Sequence, residues 1–163
     1  MQFKVASISG WLRVGALWVA LWIPFLGCTR TQQLSDDPKT LLRDYISESF
    51  NVESTRDRDA LLRYLTGAAK NRLAAWSDDQ FSEVFIRSRR QLIKLDLVEV
   101  KTRSPEEVGI TYELTYLDQN RGQDAKVIHK KLAQLTKREE RWYIAEVRNL
   151  KEMIEYKNEM SLP

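Results

Sequence analysis

Strict alternation along one short segment constrains the fold of this chain more than any other feature. Large apolar or aromatic residues occupy every second position from Val108 to Tyr116, and glycine, threonine or glutamate lies between them. Because successive side chains of a strand point to opposite faces, this segment is predicted to be a strand with one buried face. The rest of the chain must then supply neighbouring strands and a layer that covers that face.

Three further segments have the composition of strands. They cover residues 92–101, 125–136 and 142–147. In the first of them, charged residues alternate with Ile93, Leu95 and Leu97. Turn-forming residues separate the four strands at Ser104-Pro105, at 118–122 and at 138–141. These segments predict a four-stranded antiparallel meander.

Apolar stripes at helical spacing predict two helices ahead of the strands. The first begins at Pro38, because Asp37 is a suitable cap and proline is tolerated in the first turn of a helix. The second covers about 54–75 and contains Gly67, which a helix interior tolerates at a cost of about 1 kcal/mol.

Two shorter helices complete the prediction. Ser77 and Gln80 have the spacing of a capping box, which indicates that a short third helix begins there. The residues after Asn149 fit either a short terminal helix, which we favour, or an extended tail.

Three helices followed by a four-stranded antiparallel sheet make an α+β fold with the helices packed on one face of the sheet. The sequences of 109–116, 126–135 and 140–147 resemble the last three strands of NTF2-like (cystatin-like) domains. The resemblance extends over roughly 38–150 and contains no catalytic motif, so it implies a fold and not an activity. It predicts a single domain over 38–163 whose curved sheet surrounds a cone-shaped pocket.

The N-terminal segment has the pattern of an export signal. Lys4 and Arg13 give it a positive start, and an uncharged, largely apolar run follows from Val14 to Phe25. That run is shorter than the roughly 20 residues that a membrane-spanning helix needs.

The tripeptide Leu26-Gly27-Cys28 at the end of this run resembles the lipobox of bacterial lipoproteins. In that family the cysteine thiol receives a diacylglycerol, the peptidase cuts before the cysteine, and the new N-terminus is usually acylated. The resemblance implies a signal peptide over 1–27, a lipid carrying chains such as palmitate on Cys28, and a flexible tether over 28–37. An uncleaved signal anchor, or an ordinary export signal beside an unrelated cysteine, remain the alternatives.

Thr29 follows the cysteine in this sequence. In lipoprotein sorting an aspartate at that position favours the inner membrane. We therefore expect a lipid-anchored protein of the bacterial cell envelope that faces the periplasm, at the outer membrane rather than the inner one.

Charge and cysteine content exclude several classes of function. The formal net charge is +3, but the predicted leader contains two of the basic residues and no acidic ones, so 24 basic and 23 acidic side chains follow it. Such a balance produces no strong field, and we expect no nucleic-acid partner. Cys28 is the single cysteine, so the chain can form neither an internal disulfide nor a multi-thiolate metal site.

Catalytic machinery is not predicted. His129 is the single histidine and lies beside two lysines, so we expect it on a solvated face of its strand. Glu113 lies on the face opposite to the apolar residues of its strand, which argues against a buried general base. We predict no catalytic residue, no metal ligand and no cofactor.

Five residues are expected near the cone-shaped pocket that the resemblance implies. They are Phe85, Tyr112, Leu114, Tyr116 and Trp142. The alternative is that these side chains simply fill the core.

Clusters of charge have ordinary structural explanations. The carboxylates of Asp57, Asp59, Asp78 and Asp79 lie where helices are expected to begin, and acidic residues stabilise that end of a helix. The densest basic cluster consists of Arg87, Arg89, Arg90 and Lys94. It fits a solvated surface, or a contact with anionic head groups or an acidic partner.

Three hypotheses for function follow. The first is a non-enzymatic, lipid-anchored module that binds an envelope protein or a small ligand. The second is an enzyme whose active site lies in the cone, and the third is a structural subunit of an envelope complex.

Overall fold

The helical part of the domain comes first in the chain. In the computed structural model, which describes residues 35–156, it consists of α1 (Pro38–Phe50), a 3₁₀ turn (Thr55–Asp57), α2 (Arg58–Leu62), α3 (Gly67–Ala74), α4 (Asp78–Phe81) and a π-helical turn (Ser82–Ile86). The predicted signal peptide, Cys28 and most of the predicted tether lie outside the described residues, as does 157–163. Within 35–156, none of the helices has the length and apolar character required to cross a bilayer.

Two predicted helix starts are confirmed in detail. The Asp37 carboxylate accepts a hydrogen bond from the backbone N–H of Thr40 at 2.8 Å, and Pro38 is the first helical residue of α1. At the start of α4, the Ser77 hydroxyl accepts from the N–H of Gln80 at 3.2 Å, and the Gln80 side chain accepts from the N–H of Ser77 at 2.9 Å. Local sequence therefore determines both starts.

The prediction of one long second helix is wrong. Residues 63–66 interrupt it, and the backbone there pairs with the edge of the sheet: Ile144 N–H donates to the Tyr64 carbonyl and Thr66 N–H donates to the Ile144 carbonyl, each at 2.9 Å. Tyr64 and Leu65 are buried in this extended segment. Pairing with an otherwise open sheet edge, together with burial of two large side chains, outweighs local helix propensity.

The second part of the domain is one antiparallel sheet in the order β1-β2-β3-β4. Its strands are β1 (Arg90–Ser104), β2 (Glu107–Asp118), β3 (Lys126–Arg138) and β4 (Arg141–Glu155). The predicted α+β class and the four-stranded meander are confirmed. All of the helices described precede the sheet.

Strand β1 is less regular than its sequence predicts. Shifts in register occur between Leu92 and Lys94 and between Leu97 and Glu99. Ile93 and Val98 occupy these bulges and are 52% and 53% exposed, whereas Leu92, Leu95 and Leu97 pack against the core. A bulge inserts an unpaired residue, so the predicted alternation of Ile93 with Leu95 does not hold.

Strand β4 continues to Glu155, so the favoured terminal helix is wrong. Ile154 pairs with Val127 and Glu152 pairs with His129. Because β3 is long, its first half presents backbone groups that need partners, and the residues after Asn149 supply them as a strand.

The buried face of the sheet, which we call the inner face, packs against the helices. It contains the alternating residues of β2, all of which are buried as predicted. From the helical layer, fully buried side chains meet this face: Leu41, Leu42, Leu61 and Phe81. The core is therefore the interface between the sheet and the preceding helices.

The break in the second predicted helix can be tested at Gly67. This residue has φ +53°, and a Cβ there would meet the Ala145 carbonyl oxygen at 3.7 Å, which is an ordinary contact. We expect Gly67→Ala to lower the free energy of unfolding by about 1 kcal/mol, because an L side chain is strained in the left-handed region. Chemical denaturation measures this. Lys70→Ala, at an exposed position of α3, serves as the control, and a stabilised Gly67→Ala would indicate that the helix is continuous.

Candidate functional site

A cleft opens between the helical layer and the part of the sheet formed by β3 and β4. Its volume is about 590 Å³, within the range of roughly 300–1,000 Å³ that ligand pockets occupy. It is lined by Tyr45, Leu65, Ala69, Arg72, Leu73, Trp76, Phe85, Lys131 and the β4 residues Glu146, Val147, Arg148 and Asn149. The cleft therefore combines apolar walls with a small number of charged groups.

Aromatic rings form much of the apolar wall. The rings of Trp76 and Phe85 lie 6.0 Å apart between centroids, and Phe85 in turn packs on Phe81 at 4.8 Å. Burial raises the pKa of Tyr45 to about 12, because a phenolate is poorly solvated there. Tyr45 thus contributes a neutral ring and hydroxyl to the wall at physiological pH.

Lys131 is the charged residue of the interior strand β3 that lines the cleft. It lies directly opposite Tyr112 of β2 and Asn149 of β4, so its side chain is on the inner face. Burial lowers the pKa of its ammonium group, the positive charge of Arg90 lowers it further, and Glu152 partly opposes the change. Among the described residues, none forms a hydrogen bond or ion pair with this ammonium group.

Charged residues at the rim of the cleft carry an excess of positive charge. The Arg148 guanidinium lies 2.7 Å from the Glu146 carboxylate and lowers its pKa, and Arg72 contributes in the same direction. One carboxylate thus lies near two exposed guanidinium groups, and the half-buried Lys131 lines the same cleft.

The five residues predicted to line a pocket are divided between the cleft and the core. Phe85 lines the cleft. The other four are buried in the core and are not among the residues that line it: Tyr112, Leu114, Tyr116 and Trp142. Burial raises the pKa of Tyr112, which is consistent with a side chain held away from water.

Sequence-based inference missed Lys131, although the necessary pattern is present. Val127, Ala133 and Leu135 are buried and alternate along β3. The same parity places His129 and Lys131 on the inner face. His129 and Lys131 interrupt the apolar alternation of β3, whereas the alternation of β2 is continuous.

The prediction that His129 is solvent-exposed is therefore wrong. Its side chain is buried, and its ring meets Tyr116 edge-on with centroids 5.7 Å apart. Nε2 of His129 lies 2.9 Å from a Glu152 carboxylate oxygen, but neither ring nitrogen is oriented to form a hydrogen bond with a described residue. His129 belongs to a cluster beside the cleft and is not among the residues that line it.

Glu152 is the acidic member of that cluster. Arg121 Nη1 donates to its Oε1 at 2.5 Å, and Arg121 also lies 3.4 Å from the Asp118 carboxylate. The His129 imidazole lowers the pKa of Glu152, with a further contribution from Arg121, while desolvation opposes both. The carboxylate thus accepts a hydrogen bond from Arg121 and lies close to the His129 ring.

The predicted basic cluster does not form a single solvated patch. The Arg90 guanidinium turns inward and lies 5.5 Å from the Phe50 ring and 5.9 Å from the rings of Phe85 and Tyr116. Arg87 pairs with acidic residues of the preceding helical segment, and Lys94 pairs with Asp96 on its own strand. Arg90 is therefore part of the inner face and packs by cation–π contacts.

The acidic pairs occupy helix starts, as predicted. Asp57 accepts hydrogen bonds from the backbone N–H groups of Glu53 and Ser54, which lower its pKa, and Asp78 and Asp79 are in the first turn of α4. Over residues 35–156, the structure contains no group of three or more potential ligands that could hold a metal ion.

Comparison with known proteins supports the fold alone. No protein-family model matches this chain. No curated protein matches it. Among solved structures it is similar to a SEC-C motif containing protein from Rhodopseudomonas palustris, with 14% identity and a TM-score of 0.52 over 71% of this chain and 80% of that one. At this identity the likeness concerns the α+β architecture.

A stability measurement tests whether Lys131 is unfavourable to the fold. We expect Lys131→Met to raise the free energy of unfolding by up to about 1 kcal/mol, because partial burial of the ammonium group opposes folding. The matched control is Lys130→Met, whose side chain is on the opposite face of β3; it should change stability by less than about 0.5 kcal/mol. Denaturant unfolding provides both values, and a destabilised Lys131→Met would contradict this interpretation.

Proposed function

We propose that this chain is a bacterial envelope lipoprotein, held to a membrane through a lipid on Cys28, whose NTF2-like domain is a non-enzymatic binding module for a small ligand or an envelope protein. The cleft of about 590 Å³ is the observation that carries the proposal. Its apolar walls and few charged groups are typical of sites that recognise a ligand.

The architecture supports the finer assignment to an NTF2-like fold. Helices pack on the inner face of a single antiparallel meander, and the cleft lies between those two layers. The resemblance to NTF2-like domains implies a pocket surrounded by a curved sheet. The strand order and the helical layer on one face of the sheet therefore support the proposal.

The location in the envelope is supported by the sequence alone. A positive start, an apolar run and Leu26-Gly27-Cys28 precede the domain. Stable attachment by lipid requires about two acyl chains, which the lipoprotein modification supplies. The expected position is at the outer membrane, facing the periplasm.

Lys131 is the observation that favours a second candidate function, an enzyme. A lysine with a lowered pKa in a cleft has the properties of a nucleophile or general base. Among the residues that line the cleft, however, the one carboxylate is Glu146, which is paired with Arg148. A binding module leaves its ligand chemically unchanged, whereas an enzyme converts it, so recovery of the ligand separates the two.

Replacement of the cysteine tests the anchor. We expect Cys28→Ser to leave the leader attached and to abolish acyl mass, because the hydroxyl does not serve as the acceptor of the diacylglycerol. Intact mass spectrometry of protein extracted from native membranes measures both properties. The wild-type chain should begin at Cys28 and carry acyl groups; wild-type protein with its leader still present would refute the anchor.

Filling the cleft tests the binding function. Ala69 lines the cleft, whereas Ala68 is exposed on the same helix. Small molecules that co-purify with full-length protein, extracted together with its native lipid by a polymer, are compared by mass spectrometry. We expect at least one compound to be retained by the wild type and by Ala68→Phe but lost from Ala69→Phe, because the new ring occupies the cleft. Identical profiles for all three proteins would contradict a ligand-binding role for the cleft.

A further inference from the structure

We propose that the ligand of the cleft is an amphipathic organic anion, with its acid group beside Lys131 and its apolar body against Trp76 and Phe85. This inference rests on the proposed binding function and specifies the chemistry of the ligand.

The charged groups near Lys131 on the inner face do not give it a carboxylate of its own. Glu152 is the anion that acts on Lys131, but it is already engaged by Arg121 at 2.5 Å and lies 2.9 Å from His129. Arg90, which also acts on Lys131, is another cation. The carboxylate that acts on Lys131 is thus shared with Arg121, while Lys131 itself lines the cleft. An anionic group in the cleft would supply the missing partner.

Apolar and aromatic side chains form much of the cleft wall. Leu65 and Leu73 are buried and line the cleft, and Trp76 and Phe85 add aromatic surface. A small hydrophilic anion would leave these walls in contact with water. A ligand with an apolar body removes that surface from water and gains roughly 25 cal/mol for each Å² buried. The apolar walls therefore favour a ligand that carries an apolar body in addition to its acid group.

Neutral and cationic ligands fit the cleft less well than an anion. A neutral apolar ligand would displace water from the Lys131 ammonium group without replacing its hydrogen bonds, which is unfavourable. A cationic ligand would add like charge beside Lys131. A ligand with one acid group on an apolar body can pair with Lys131 and also cover the apolar walls of the cleft.

Equilibrium dialysis provides the test. Full-length protein in phosphatidylcholine nanodiscs is dialysed against 2-naphthoate, its neutral isostere 2-naphthamide and the cation 2-naphthylmethylammonium, and empty nanodiscs correct for partition into lipid. We expect naphthoate to bind at least about tenfold more tightly than the other two probes, as one charge-assisted hydrogen bond allows.

Variants assign the effect to the lysine. We expect Lys131→Met to weaken naphthoate binding at least about tenfold and to abolish the preference for the anion. Lys130→Met should change binding by less than about twofold, because its side chain lies on the opposite face of β3. Ala69→Phe should abolish the binding of every probe. Since Lys131→Met is expected to be more stable than the wild type, its loss of binding would not reflect unfolding.

The outcomes separate this inference from the proposed function. Equal binding of naphthoate and naphthamide, or equal losses in Lys131→Met and Lys130→Met, would overturn the preference for an anion. If Ala69→Phe still abolished binding in that case, the cleft would remain a binding site. Absence of binding by all three probes would overturn the inference, and the co-purification experiment would then judge the binding function independently.

Discussion

The inner face of the sheet must be kept from water, and the helices that precede it cover that face unevenly. The alternating residues of β2 are all buried, and leucines of α1 and α2 and Phe81 of α4 are fully buried in the same core. Opposite β3 and β4 the helical layer leaves a cleft, with Lys131 and Val147 among the residues that line it. The candidate site thus follows from incomplete cover of a sheet by its helical layer, and the uncovered region contains an inward-facing cation.

The two inward cations differ in how they are accommodated. Arg90 lies against three aromatic rings and donates hydrogen bonds to Ser88 and to the carbonyl of Val84. Lys131 has no such partners among the described residues, and burial lowers its pKa. We expect the half-buried ammonium group of Lys131 to oppose folding, and residues that break a local rule in this way are concentrated at functional sites.

Much of the fold could be predicted because the relevant signals are local. The alternation in β2 has no inward polar residue, and the caps at Asp37 and Ser77 act on backbone groups within three residues. The candidate site could not be predicted in the same way. Lys131, which lines the cleft, interrupts the alternation of apolar residues in β3. Large side chains of β2 and β4 were therefore predicted as pocket residues, although they belong to the core.

The errors in secondary structure have a common cause in contacts between distant parts of the chain. Residues 63–66 have local helix propensity, but Ile144 offers them backbone partners at the sheet edge. The residues after Asn149 resemble a short helix, but β3 offers them a continuous ladder. In both cases the stabilising partner lies outside the local window, and hydrogen bonding to it exceeds the small differences in propensity.

By itself, the sequence determined the α+β class, the four-stranded meander, two helix starts and the impossibility of an internal disulfide; it also predicts the exported, lipid-anchored location. Only the tertiary structure decided where the second predicted helix breaks and how far β4 extends. It also placed the side chains of His129 and Lys131 on the inner face of the sheet. The physical reason is that caps, turns and alternation act between near neighbours along the chain. The partners of a sheet edge, and the environment of a charge on the inner face, are supplied by segments far away in sequence.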